Sequence, residues 1–193
     1  LVDSGGQYLY GTTDVTRTLS LDVNSPKIKE IFTRVLKGHI AVASYKLNHS
    51  SNGDKIDRVA RKPLTDIDLD YPHGTGHGVG YFLNVHEGPQ GISRGNKVKF
   101  KEGMITSNEP GFYKKNHFGI RIENLIYVKK IKNTLKFIDL TLVPIDKSLI
   151  EKKLLNLSDE QWLNEYHQRV FNNLKKFMNK SELVQLKQAC SNI

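Results

Sequence analysis

HGTGHGVGYFLNVHE, residues 73–87, gathers three of the chain's 7 histidines into fifteen positions. Gly74, Gly76, Gly78 and Gly80 flank His73 and His77. Glycine allows backbone conformations and close approaches that a β-carbon blocks, so a Gly-His-Gly setting suits an imidazole aimed into a crowded polar site. The two histidines stand four apart, but the glycines between them oppose a helix, which excludes the helical two-histidine zinc motif. Tyr81 to Val85 then reads as a strand. Taken alone, the stretch is equally a glycine-rich loop with surface histidines. Acidic residues elsewhere decide between the two.

The chain has 193 residues, 38% hydrophobic and 25% charged, the composition of a globular chain long enough for a sizeable core. A net charge of +9 raises the question of nucleic acid or an acidic membrane. The lysines are scattered, however, with short pairs such as Lys129-Lys130 and Lys175-Lys176 and no basic block interleaved with aromatics, so a solvated lysine-rich surface is expected and nucleic acid is not. No apolar run is long enough to span a bilayer. One cysteine, Cys190, rules out an internal disulfide and points to a reducing compartment. The sequence opens at Leu1, without methionine and inside a strand-like run, so an upstream portion is expected.

Around the central stretch the pattern alternates between strands and helices. Residues 1–21 read as two strands about a turn near Gly11, rich in β-branched residues after it. Asn24-Ser25-Pro26 reads as a helix start, followed by a stripe of Ile28, Ile31, Phe32, Val35, Leu36, Ile40 and Ala43. His39 on that stripe reads as a hydrogen-bonded core histidine. A second helix is expected over 54–61, with Ile56, Val59 and Ala60 inward, ending before Pro63. Residues 88–97 read as a loop. Strands are expected over 104–109, 120–128 and 135–143. A helix from Ser158 to about Met178 carries Leu163, Tyr166, Val170, Phe171, Leu174 and Phe177, and a shorter one follows near Ser181. No internal repeat or domain linker is visible.

Five residues with metal-ligand chemistry fall in ordered contexts: Asp3, Asp14, His77, Glu109 and Glu123. The two aspartates sit on the two arms of the first hairpin, and Glu109 closes a strand before Pro110-Gly111. Glu123 interrupts an apolar strand, where a carboxylate is costly unless compensated. Arg121, two residues earlier, shares its face and could be a plain ion-pair partner. Four carboxylates and one imidazole exceed a single tetrahedral zinc site. They suit two divalent ions with bridging carboxylates. Such a pair, about 3.5–4 Å apart, can hold a hydroxide and polarise a carbonyl. His73 and His86 would then serve as hydrogen-bond donors to a substrate carbonyl or oxyanion.

VDSG at 2–5, GTTDVTRT at 11–18, HGTGHGVGYFLNVHEGP at 73–89, NEPGFY at 108–113 and GIRIEN at 119–124 together resemble the metallopeptidases of the pita-bread fold. That family includes methionine aminopeptidases, prolidases and Xaa-Pro aminopeptidases. LTLVPID at 140–146 and WLNEYH at 162–167 resemble the cytosolic Xaa-Pro aminopeptidases in particular. The resemblance implies an α+β fold with a curved, mostly antiparallel sheet flanked by helices. It makes residues 1–193 a C-terminal catalytic domain lacking its N-terminal part, with 140–193 as an extension particular to this group.

The same resemblance implies roles. Asp3 binds one ion, Asp14 and Glu123 bridge, and His77 and Glu109 complete the other, with Glu109 also relaying protons. His86 contacts the substrate carbonyl, His73 lies beside the proline pocket, and Arg121 supports a metal carboxylate. Asn108 stands where many relatives have aspartate, which leaves the ligand set intact. The implied protein is a cytoplasmic homodimer that uses two divalent ions to cleave peptides with proline second. Manganese is favoured, although cobalt and zinc also suit these ligands. A prolidase acting on Xaa-Pro dipeptides is the nearest alternative. A pita-bread binding module without catalysis is a second, which would not need the five-ligand set.

Overall fold

β1 (Val2–Tyr8) and β2 (Gly11–Arg17) form the expected antiparallel hairpin, with Asp3 opposite Thr16 and Gly5 opposite Asp14. The structure, a computed structural model, describes residues 1–22, 25–82 and 84–193. The chain divides into two units. One holds residues 1–18 and 34–141, the other residues 19–33 and 142–193. Helix α1 (Pro26–Ala43) contributes to both, and buries Ile31, Phe32, Val35, Leu36 and Ile40 along the predicted stripe. The Ser25 hydroxyl accepts the Ile28 N–H at 3.3 Å; the cap expected at Asn24 lies outside the described residues.

In the first unit, α2 (Gly53–Thr65) is capped by Asn52, whose side chain accepts the Lys55 N–H at 3.0 Å. The helix does not stop before Pro63, as the sequence suggests, but runs through it. Proline removes one N–H near the C-terminus, while burial of Ile56, Ala60 and Leu64 carries the stripe on. Val59, expected inward, is 37% exposed, because at 3.6 residues per turn it lies away from that stripe; Asp57 and Arg61 are buried instead.

Two short strands, β3 (Gly76–His77) and β4 (Gly91–Ile92), pair with each other, so the expected loop over 88–97 contains a strand. The strand expected at 81–85 does not form among the described residues, and Leu83 lies outside them. Gly80 N–H donates to the Asn84 carbonyl and Glu87 N–H to the Gly78 carbonyl, folding the segment back on itself and leaving Tyr81 and Phe82 exposed.

β5 (Ile105–Asn108), β6 (Gly111–Lys114), β7 (Phe118–Arg121), β8 (Asn124–Ile131) and β9 (Thr134–Asp139) complete the unit. β6 pairs with β7, and β8 lies between β5 and β9. The strand expected over 120–128 is therefore two strands. Ile122 N–H donates to Pro110 and Glu123 N–H to Thr16, so the chain changes ladder partner there. The strand expected over 135–143 ends at Asp139. Among the described residues the pairing is antiparallel, spread over four small sheets and extended by bridges such as Thr16–Glu123 and Gly78–Thr106. Val42, Ile56, Ala60, Ile92, Phe100, Ile126, Val128 and Phe137 form the core of this unit.

In the second unit, α3 (Leu157–Leu174) and α4 (Lys180–Ala189) both begin with capping boxes, Asn156 with Asp159 and Asn179 with Glu182. The start expected at Ser158 thus moves back to Asn156. Leu163, Tyr166 and Val170 are buried as expected, and His167 joins them, accepting the Ile145 N–H at 3.0 Å. Phe177 is 70% exposed, because the α-helix ends at Leu174 and tightens into a 3₁₀ turn. Among the described residues no helix is long and apolar enough to cross a membrane.

Candidate metal centre

Every other residue of a strand points the same way, so Asp3 and Asp14 project from one face of the β1–β2 hairpin. Glu109 follows β5 directly and Glu123 directly precedes β8. The β5–β8 ladder ends at the Asn108–Asn124 pair, so both glutamates leave from the same edge. His77 enters on β3. A β-carbon at Gly76 would overlap the Ser107 carbonyl, and one at Gly78 the Glu87 carbonyl. The glycines of the central stretch therefore let His77 approach two neighbouring backbones.

These elements bring the predicted residues to one cavity of about 370 Å³, lined by Asp3, Asp14, His73, His77, His86, Glu109, Arg121 and Glu123. Donor atoms of Asp3, Asp14 and Glu123 lie within 4.8 Å of one another. So do those of His77, Glu109 and Glu123, and those of Asp14, His77 and His86. The first two sets share Glu123, and the first and third share Asp14, the pattern that two ions with common carboxylates would use. His86 is exposed, with its ring 4.1 Å from that of His77. Distance alone places His86 among the donors as well, so its separation from the ligands rests on the sequence resemblance.

Hydrogen bonds fix the tautomers of the two remaining histidines. His77 Nδ1 faces the Gly78 carbonyl at 3.0 Å and must donate, which turns the Nε2 lone pair toward Asp14 at 3.3 Å and Glu109 at 3.5 Å. Three acceptors then face one another, an arrangement that requires a proton or a cation between them. Burial, with Glu109 and Asp14 nearby, pushes the Glu123 carboxyl up to about 7, although Thr16 Oγ donates to it at 2.6 Å. Burial raises Glu109 too, against the pull of His77 and Ser107. Burial works to lower His77, but Asp14, the Gly78 carbonyl and Glu109 outweigh it and raise it. Excess negative charge thus holds protons where divalent ions would displace them, and the hard oxygen-rich donor set fits such ions.

Arg121 binds the site together from one side. Its guanidinium contacts Asp3, donates to Thr16 Oγ at 3.0 Å and donates to the Tyr113 hydroxyl at 3.0 Å. Tyr113 in turn meets His73 Nε2 at 2.8 Å, while His73 Nδ1 donates to the Gly74 carbonyl. Burial leads the lowering of the His73 pKa, which favours the neutral ring.

Sequence reasoning missed a supporting cluster behind the histidine loop. Arg61 donates to Asp57 at 2.8 Å, to Asp70 at 2.7 Å and to the carbonyls of Tyr71 and His73. Asp57 also accepts the Thr75 hydroxyl at 2.7 Å, and the Thr75 carbonyl accepts the Glu109 N–H at 2.7 Å. An acid and a base four apart on the stripe side of α2 was the available signal.

The sequence profile of metallopeptidase family M24 matches residues 1–130, and that of the C-terminal region of peptidase M24 matches residues 133–193. A probable Xaa-Pro aminopeptidase P of Laccaria bicolor is 48% identical over 178 residues, 86% of this chain and 28% of that protein. Aminopeptidase P2 of Arabidopsis thaliana is 48% identical, over 89% of this chain and 26% of that protein. The chain therefore spans under a third of the length of these relatives. Among solved structures it is similar to the X-prolyl aminopeptidase of Caenorhabditis elegans, described as a cytosolic enzyme with a di-nuclear active site. That match has a TM-score of 0.92 at 42% identity, over 99% of this chain and 33% of that one. The prolidase of Pyrococcus furiosus matches with a TM-score of 0.62 at 29% identity, over 70% of this chain and 39% of that one.

Proposed function

Because the chain belongs to metallopeptidase family M24 and has its pita-bread fold, we propose that it is the catalytic domain of a two-metal Xaa-Pro aminopeptidase. The observation that carries this reading is the convergence of five donors on one cavity with His77 Nε2 turned toward two carboxylates. Asp3, Asp14 and Glu123 would hold one ion, and Asp14, His77, Glu109 and Glu123 the other. Two bound dications would activate the attacking water and polarise the scissile carbonyl. Manganese is our choice for both. Glu109, which accepts the Ser107 hydroxyl at 2.9 Å, would receive a proton and pass it to the leaving amide nitrogen. His86, exposed at the mouth, donates to the developing oxyanion. His73, held toward its neutral form by burial and oriented by Tyr113 and Gly74, forms a wall for the proline ring. Arg121 keeps Asp3 oriented.

The aminopeptidase reading is supported over a prolidase by the fuller match to the worm enzyme, 0.92 against 0.62. Residues 140–193 are proposed as the extension that marks this group. We further propose a cytoplasmic homodimer whose catalytic domains form the two-fold contact. The test uses the full-length protein loaded with manganese. It should cleave a tripeptide with proline second faster than the corresponding Xaa-Pro dipeptide and hold close to two ions per chain. A preference for the dipeptide would instead favour a prolidase, and no bound metal would remove the enzymatic reading.

A further inference from the structure

His39, on α1, is fully buried and is not among the residues that line the cavity, yet its ring reaches the backbone of both glutamate-bearing segments. Nδ1 lies 3.2 Å from the Asn108 carbonyl and 3.2 Å from the Ile122 carbonyl. Carbonyls only accept, so a single Nδ1–H is shared between them. Those two carbonyls belong to the peptide planes that lead directly into Glu109 and Glu123. The opposite ends of the same planes are also held, Glu109 N–H by the Thr75 carbonyl at 2.7 Å and Glu123 N–H by the Thr16 carbonyl at 3.0 Å. Asn108 Nδ2 returns a bond to the His39 carbonyl at 3.0 Å. Each ligand-bearing peptide is thus fixed at both ends, and one imidazole supplies the common end.

We propose that His39 is a positioning residue of the metal centre: its shared N–H fixes the two glutamate-bearing peptide planes relative to each other and so sets the spacing of Glu109 and Glu123. The inference rests on the two-metal reading above. Its physical basis is that ligand geometry depends on groups behind the ligands, whose loss is felt in metal affinity. Burial and the nearby Arg17 charge push the His39 pKa down to about 3, so the ring stays neutral with one N–H to give at any working pH.

The experiment compares three full-length proteins, wild type, H39N and H39L. Asparagine places an amide N–H close to the Nδ1 position, and leucine keeps apolar bulk without a donor. Manganese binding is titrated by calorimetry, and the exchange coupling of the loaded pair is read by electron paramagnetic resonance. Metal-free melting temperature is recorded in parallel. H39L should bind the ions about 10–100-fold more weakly and alter the coupling, whereas H39N should stay within roughly threefold of wild type. Should H39L fail to fold, H39Q replaces it, since its amide sits one methylene too far out. Wild-type affinity and coupling in the leucine or glutamine variant, with only the melting temperature lowered, would overturn the positioning role. Equal losses in H39N and H39L would overturn the role of the donor. A wild-type protein that binds no metal would overturn the two-metal reading itself, an outcome distinct from both.

Discussion

Asp57 on α2 and Glu123 before β8 are both buried carboxylates, 0% and 2% exposed, and the first unit treats them in opposite ways. Around Asp57 the protein supplies the compensation itself. Arg61 lies 2.8 Å away, Thr75 donates a hydroxyl, and the guanidinium spends its other N–H groups on Asp70 and two backbone carbonyls. Around Glu123 it supplies one hydroxyl bond and the charge of Arg121, whose guanidinium bonds Asp3, Thr16 and Tyr113 instead, against three further acidic side chains. The first cluster is electrostatically finished and the second is not. A cluster left with excess charge in an otherwise well-bonded fold is where an external cation belongs.

Opposite responses to mutation would sharpen that contrast most. Arg61→Ala leaves Asp57 buried and unpaired, so the protein should lose on the order of 3–5 kcal/mol of stability, measured by urea unfolding without metal. Glu123→Gln removes a charge that has no direct ion-pair partner among the described residues and is crowded by other acids, so metal-free stability at pH 7 should stay the same or rise. Metal binding should nevertheless collapse, seen as loss of ions in elemental analysis. If E123Q destabilised the metal-free protein as much as R61A does, the two clusters would not differ in kind.

His86 tests the boundary of the unfinished cluster. His86→Ala should lower turnover by about 10²–10³-fold, the usual worth of one oxyanion donor, while leaving metal content unchanged. Loss of ions in this variant would move His86 into the ligand set that its distances already permit.

The pH dependence of the metal-free protein separates the clusters next. The folded Glu123 pKa is raised to about 7, from 4.5. Its protonated form therefore contributes stability that is fully present below pH 4.5 and lost as pH rises through 7. Relative to E123Q, the wild type should lose about 3 kcal/mol across that window. His39, lowered to about 3, acts in the other direction between pH 6.5 and 3, but it is common to both proteins and cancels. Adding the ions should reverse the sign of the difference, since their binding expels the protons from the wild type while E123Q binds none. A flat difference profile would show that Glu123 is not crowded by acids.

The legibility of these features in sequence followed the range of the physics. The convergence of the five residues was readable from the set and from the motifs that carry them, since singly a glutamate between Ile122 and Leu125 reads equally as an ion-pair partner and a histidine between two glycines as part of a loop. The hairpin and α1 were readable from period alone. The break at Ile122–Glu123 was not, because it comes from backbone bonds to Pro110 and Thr16, far away in sequence. Pro63 misled because the burial of Leu64 outweighs a lost helical bond, a balance set by tertiary contacts. Arg61 and Asp57 escaped notice because a charged i,i+4 pair on a helix is ordinarily a solvated one.

That last ambiguity can be tested on adjacent residues. Lys62 and Asp66 form an ion pair of 2.7 Å with the same i,i+4 spacing as Asp57 and Arg61, whose shortest contact is 2.8 Å. Length and helix position are nearly matched, but the side chains of the first pair are 71% and 51% exposed, and those of the second 7% and 0%. In water the gain from holding two charges together is offset by screening and by lost side-chain freedom, so Lys62→Ala should change stability by less than about 0.5 kcal/mol. The small change should shrink further at high salt, where exposed pairs are screened. The much larger loss in R61A should persist, because an unpaired buried charge is out of reach of the salt. Comparable losses in the two variants, or equal sensitivity to salt, would mean that burial is not what divides the structural pair from the surface one. The distinction between finished and unfinished charge clusters would then lose its physical ground.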